Sequence, residues 1–286
     1  LIVSRGLGDV YKRQGLVCLI FDQHVVGFLV TILAILGSVI FGAILGIIPG
    51  YLQAKRGSHI VITTIMFNFI AAALMVYLLV NVIIEPGQMS PETRDFASGV
   101  GLVQIHILAK YLGLEMAMSP LNLSFIVALT VSVGFWFLVW RTKFGYEVRS
   151  LGHSETAAIY AGIKVSSTII IVMAISGGLA GLVAINELLG VHNKLLLGFT
   201  AGYGFTGIAV ALMGRNHPVG IFLASLLFGA LYQGGTELDF EFSSITREMV
   251  LLIQGLIILF SGALAYMLSP LVERVYLKYY GNYNNG

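Results

Sequence analysis

Charge is what this sequence has least of. Asp, Glu, Lys and Arg make up 10% of its 286 residues, where a soluble domain carries about 25%. With 57% hydrophobic residues and a mean hydropathy of +0.91, there is too little polar surface to cover a water-facing globule. A soluble enzyme, a disordered chain and a nucleic-acid-binding domain are excluded, and a net charge of +2 suggests no polyanionic partner. A single cysteine, Cys18, excludes an internal disulfide framework and a multi-cysteine metal site. No G-x-x-x-x-G-K-S/T occurs, so the chain has no phosphate-cradling P-loop; H-E-x-x-H and G-x-S-x-G are missing too. The histidines (24, 59, 106, 153, 192 and 217) are scattered, mostly in or beside loops, which predicts solvated or capping roles and no metal site. An intramembrane enzyme would want a pair of ionisable groups within the spans. Glu187 alone qualifies, near a helix end, so no catalytic residue is expected and the chain reads as a non-enzyme.

Long apolar runs are abundant. A membrane helix needs about 20 mostly apolar residues, and seven segments qualify, at about 25–52, 60–84, 121–140, 166–189, 199–213, 217–235 and 249–268. They are long and lack period-2 alternation, so the fold class is all-α: a polytopic transmembrane helical bundle of about seven spans. The fifth is short and glycine-rich, which predicts a half-span or a broken helix.

Lys and Arg sort onto one side of these spans. The connections holding Lys55 and Arg56, residues 141–164, Arg215 and the tail 269–286 carry 9 Lys+Arg and 3 acids; the other side carries 4 and 9. The basic side is therefore expected in the cytoplasm, with the C-terminus inside. The loop 85–120, broken by Pro86, Pro91 and Pro120 and with an amphipathic helix expected at 103–112, would lie outside as a solvated loop or a docking surface. Residues 1–14 hold four charges (Arg5, Asp9, Lys12, Arg13) against one, Asp22, in the next forty. They read as a non-native, adaptor-like leader before a single transmembrane domain at 15–286. An odd span count predicts N-terminal truncation, with at least one further span upstream.

The inner loop 141–165 has its own grammar. A helix at 146–151 is expected to end at Gly152. Ser154 can N-cap a second short helix whose positive end suits Glu155, and Gly162 closes it. Small residues there (Ala157, Ala158, Ala161) would let another protein seat closely; an ordinary re-entry loop is the plainer reading.

Within the spans, glycines recur at four-residue spacing (42, 46, 50; 177, 181; 198, 202), which allows backbones to approach, either as static packing or as sliding surfaces. Gly202, Gly204 and Gly207 predict irregular backbone, tolerated at membrane depth only when buried or lining a cavity. Thr63, Thr64 and Asn68 share a helical stripe. Ser176 is mid-span, with Asn186 and Glu187 nearer the outer end of the same helix. Hydroxyls and amides of this kind, with aromatic faces such as Phe67, Phe199 or Phe205, would suit a sugar or nucleoside. Interhelical hydrogen bonding is the alternative for Asn68 and Ser176, outer water or headgroups for Glu187, and a topology anchor for Arg215.

Four stretches carry a resemblance. Thr142, Gly145, Arg149, Gly152, Ala157, Ala158, Ala161, Gly162 and Ile163 match T-x-x-G-x-x-x-R-x-x-G-x-x-x-x-A-A-x-x-A-G-I. This resembles the cytoplasmic coupling loop of permease subunits in bacterial ABC importers for branched-chain amino acids, simple sugars and nucleosides. Residues 46–68, with a Pro-Gly helix end and a T-x-M-x-N run, 176–190 and 202–218 (GYGFTGIAVALMGRNHP) are similar to the nucleoside/simple-sugar branch, most of all to the first permease of nucleoside importers. One departure is Ser58-His59, where that branch has Asn-Glu.

The resemblance implies a permease subunit that moves a nucleoside-like solute across the bacterial plasma membrane. A simple sugar is the alternative within the family, and an ion-coupled secondary transporter the alternative outside it. It implies ATPase coupling at Thr142, Gly145, Arg149, Gly152, Ala157, Ala158 and Gly162. Pathway candidates are Thr64, Asn68, Ser176, Asn186, Glu187, Gly204 and Phe205. The chain itself would bind no cofactor; ATP and Mg would sit on partner ATPase subunits. A second related permease chain and an extracytoplasmic substrate-binding lipoprotein complete the expected partners.

Overall fold

The computed structural model describes residues 27–83, 92–96, 101–105, 107, 121–198, 202–241, 249–257 and 259–260. The leader 1–14, Cys18, His24, His106, most of the 103–112 helix, Phe199 and the tail 269–286 lie outside the described residues. Within them the chain is helical, with only isolated bridges as β-structure. Five helices are long and apolar enough to cross a membrane. They cover the first, second, third, fourth and sixth expected spans. The fifth is the eleven-residue helix Tyr203–Met213, short as its glycines predict, and the seventh is described in part, helical at 249–257 and 259–260.

The chain divides into two compact units, residues 1–205 and 206–286. The first is built on α1 (Gly27–Arg56), α2 (Ile60–Leu78), α3 (Ser124–Arg141), α4 (Lys143–His153), α5 (Glu155–Tyr160) and α6 (Val165–Gly181). α1 and α6 pack closely along their length. A Cβ on Gly42 would overlap the Gly177 carbonyl, and one on Gly177 would overlap the Gly42 carbonyl. Gly46 meets the Met173 carbonyl and Gly181 that of Ser38 in the same way. Backbone lies against backbone, so the expected close approach is present here. The pair runs antiparallel: near one end the Ser166 hydroxyl donates to the Ala54 carbonyl at 3.2 Å. By contrast, Gly198 and Gly202 have open space around them and φ of 76° and 82°; they serve turns, not packing.

Two expectations about proline and glycine differ from the structure. α1 runs past the Pro49-Gly50 pair that the resemblance marks as a helix end, and past the expected span limit at 52, to Arg56, with Pro49 buried inside it. Loss of one backbone donor is outweighed by packing of this turn on α6, where Gly50 lies against Met173. The backbone from Tyr203 to Met213 is regular helix through Gly204 and Gly207. Glycine costs about 1 kcal/mol per residue in a helix, and the irregularity falls instead at Gly202 and upstream. There, residues 185–192 widen into π-type turns ending at Asn193, whose φ is 51°.

The core of the first unit gathers at the end away from Lys55 and Arg56. Val30, Ala34, Met75, Leu79, Ala184, Ile185, Leu188 and Leu195 are all buried there. Phe96, from the loop 85–120, joins them, so the described part of that loop is not simply solvated.

In the second unit, the remainder of α7 (Tyr203–Met213) turns tightly at residues 214–217 into α8 (Pro218–Glu241). Arg215 and Asn216 adopt φ of 52° and 54° in that turn. Ala209, Val210, Ala224 and Phe228 form its core.

Candidate coupling and translocation sites

The loop 141–165 folds into two short capped helices. Thr142 opens α4, its hydroxyl accepting from Gly145 N at 3.1 Å. Gly145 is buried where any Cβ would strike the Leu138 and Val139 carbonyls, so the bend from α3 into α4 requires glycine. Ser154 caps α5 as expected, accepting from Ala157 N at 3.3 Å, with Glu155 in the first turn. Gly162 closes the loop at φ 78°. Gly152 differs from expectation: α4 runs through it to His153, and Ser154 makes the break. The Ser154 side chain holds the start of α5 more firmly than a glycine could end α4. Ala158 is 1% exposed and Tyr160 94%, so α5 presents one face inward and one to solvent. Gly152, Ala157 and Arg149 are exposed.

At the opposite end of the unit, Asn186 and Glu187 come together with residues that no spacing or motif links to them. The Asn186 carbonyl oxygen accepts from Asn122 Nδ2 at 3.0 Å and from the Ser124 hydroxyl at 2.9 Å. Asn186 Nδ2 donates to Glu187 Oε1 at 3.1 Å. Glu187 Oε2 lies 3.6 Å from His192 Nε2, an ion pair when the imidazole is protonated. Asn122, itself buried, fits because Gly190 leaves it room. The Glu187–His192 spacing of five residues puts the two off-face in an α-helix. The wider π-type turn brings them together, and nothing in apolar periodicity announces such a turn.

The same end is stitched to the loop 85–120. Thr93 N donates to the Leu195 carbonyl and Leu195 N to the Thr93 hydroxyl, both at 3.0 Å. Phe96 N reaches the Asn193 carbonyl at 2.8 Å, Leu102 N the Leu189 carbonyl at 2.8 Å, and Lys194 pairs with Glu92 at 3.0 Å.

The other pathway candidates stand apart from this cluster. Thr64 is buried, and its hydroxyl donates back to the Ile60 and Val61 carbonyls at 2.9 and 3.0 Å. Asn68 on α2 and Ser176 on α6 are each half-buried, on different helices. Gly204 and Phe205 begin α7, with Phe205 62% exposed. No group of three or more potential metal ligands occurs among the described residues.

Residues 11–262 match the family described as "Branched-chain amino acid transport system / permease component". The chain belongs to this family. Among curated permeases it is 35% identical over 246 residues to the guanosine ABC transporter permease protein NupP of Bacillus subtilis (strain 168), covering 85% of this chain and 68% of that one. It is 31% identical to the nucleoside ABC transporter permease protein NupB of Lactococcus lactis subsp. cremoris (80% and 62% covered). It is 30% identical to the glucose ABC transporter permease protein TsgB13 of Haloferax volcanii (80% and 60% covered). The permease thus spans about two thirds of the length of these relatives. No solved structure matches it with significance. This permease is a multi-pass membrane protein of a transport-system permease family, and the relatives named above are ABC transporter permeases.

Proposed function

We propose that this permease moves a nucleoside-like solute across the bacterial plasma membrane, driven by ATP that separate ATPase subunits bind with Mg and hydrolyse. The ATPases dock on residues 141–165, using Thr142, Gly145, Arg149, Gly152, Ala157, Ala158 and Gly162. The basic end is cytoplasmic, and the tail 269–286 lies inside. A substrate-binding lipoprotein delivers the solute at the opposite end, beside the loop 85–120, and a second related permease chain completes the pathway. Thr64, Asn68, Ser176, Gly204 and Phe205 are proposed to line that pathway. Asn186 and Glu187, engaged by Asn122, Ser124 and His192, are proposed to hold its outer mouth in shape.

The observation that carries this reading is the two-faced α5. Buried Ala158 ties it to the rest of the unit, while Ala157, Tyr160 and Ala161 stay uncovered. A helix of small residues with a free face fits the groove of a partner, and a partner that prefers one conformation drives the other away. The guanosine and nucleoside relatives favour a nucleoside. A sugar is the second reading, favoured by the glucose relative. An ion-coupled carrier would need a mid-membrane carboxylate, whereas Glu187 sits beyond α6 in the π-type turns.

The test is uptake of radiolabelled guanosine and glucose by vesicles carrying the complete transporter, with and without ATP. ATP-dependent guanosine uptake is expected. Glucose uptake alone would replace the substrate, and uptake that follows an ion gradient regardless of ATP would overturn the mechanism.

A further inference from the structure

A cleft of about 930 Å³ opens at the basic end of the first unit, between the turn joining α1 to α2, the side of α5 that carries Glu155 and Ile159, and the start of α6. Three features of its wall favour an anion. Lys55 and Lys164 line it, both exposed, and neither side chain pairs with an acid among the described residues. Ser58 lines it too; its hydroxyl has no hydrogen-bond partner and is sealed from solvent, so it would have to rotate to meet a ligand in the cleft. α2 starts here, and its cap residue His59 supplies no side-chain bond and its first turn no acid. The first N–H groups of a helix carry partial positive charge and want an acceptor. Glu155 is the one acid on the wall.

The rest of the wall is mixed: Gln53, His59, Ser166 and Ser167 line it, and Ile60, Ile163 and Ile169 stand beside the lysines where α1 ends and α2 and α6 begin. A phosphate anchored on lysines with hydrocarbon running along isoleucines is the chemistry of a lipid. We propose that this cleft holds the phosphate of an anionic phospholipid, its acyl chains lying along the isoleucine strip. The site borders the ATPase seat and shares its loop: Glu155, Ile159, Ile163 and Lys164 line the cleft, while Ala157, Tyr160 and Ala161, and the coupling residues named above, line no part of it. A bound lipid would brace α5 from the membrane side. The proposal needs only that the chain spans a membrane, and it survives a different substrate.

The purified complete transporter, held in phosphatidylcholine discs, is titrated with a fluorescent short-chain phosphatidylglycerol, with a matching phosphatidylcholine as control. Each basic residue near the surface changes the affinity for anionic lipid about fivefold, so Lys55→Gln with Lys164→Gln should weaken phosphatidylglycerol binding roughly 25-fold. Ser58→Ala should weaken it a few-fold, and phosphatidylcholine binding should not change. If the double variant fails to fold, as judged by its melting curve, Lys55→Gln alone carries the test, with an about fivefold loss expected. Equal phosphatidylglycerol affinity in wild type and variants overturns the site, as does wild-type binding no tighter than that of phosphatidylcholine. Titration with inorganic phosphate is the second arm: saturable phosphate binding without phosphatidylglycerol binding would reassign the cleft to a soluble anion. Protection of Lys55 and Lys164 from amine labelling by the ATPase subunits in the absence of anionic lipid would reassign it to protein contact.

Discussion

α3 and α6 are both apolar enough to cross a membrane, yet they differ in what covers them. In the most apolar 18 residues of α3 nothing is buried within the chain, whereas 44% of the corresponding stretch from Val165 to His192 is. Hydropathy does not set this difference, since lipid and protein interior are about equally apolar and burial from water does not drive helices together in a bilayer. The placement of small residues does. α6 carries Gly177, Gly178 and Gly181 on the face that meets α1, whereas the one glycine of α3, Gly134, faces open space. α1 and α6 therefore form a locked pair, while α3 keeps its flanks for lipid or for partners.

That contrast can be broken most severely at Gly177. Gly177→Leu would drive a side chain into the Gly42 carbonyl; loss of at least about 3 kcal/mol is expected, read as a collapse of the thermal melting of the purified protein. If melting held, the backbone contact would be wrong. A second blow falls on the stitching of the loop 85–120. Thr93→Val removes the acceptor for Leu195 N and leaves a buried donor unpaired, at a cost of about 1–3 kcal/mol, which hydrogen exchange at Leu195 should report. Gly152→Trp tests the free surface alone: the position faces open space, so melting should shift little while ATP-driven uptake falls at least about tenfold, and normal uptake would remove Gly152 from the docking surface. The smallest effect is expected on α3, where Val133 is 65% exposed. Val133→Leu should stay within about 0.5 kcal/mol, and a larger loss would mean that α3 is packed against something this chain does not supply.

Much of this was legible beforehand, for reasons that differ by region. The spans followed from run length, close backbone approach at Gly42 and Gly177 from four-residue spacing, though not that these two pair, and the cap at Ser154 from a hydroxyl ahead of a short helix. The span at 25–52 already ran through Pro49; its extension to Arg56, past the Pro-Gly pair that the resemblance marks as a helix end, was not legible, because a tertiary contact at Gly50 overrides a local breaker. The polar cluster around Asn186 was half legible. Costly polar residues in a span mark a site, but their partners Asn122 and Ser124 arrive from more than sixty residues away. His192 needs a π-type turn that no apolar period reveals. The buried stitching of Thr93 was hidden because a proline-broken loop reads as solvated.

The Gly42–Gly177 contact also bears on how a movement would travel. Side chains absorb small displacements by changing rotamer, and carbonyls pressed against a neighbouring backbone have no rotamers to change. The segment from Val165 to His192 is 28 residues long, about 40 Å at 1.5 Å per residue. A shift applied where the 141–165 loop meets Val165 would be handed along α6 with little slack as far as Gly181, and through the π-type turns beyond it to Leu189 and Asn193, where the loop 85–120 is tied on. One stroke at one end would then become one stroke at the other.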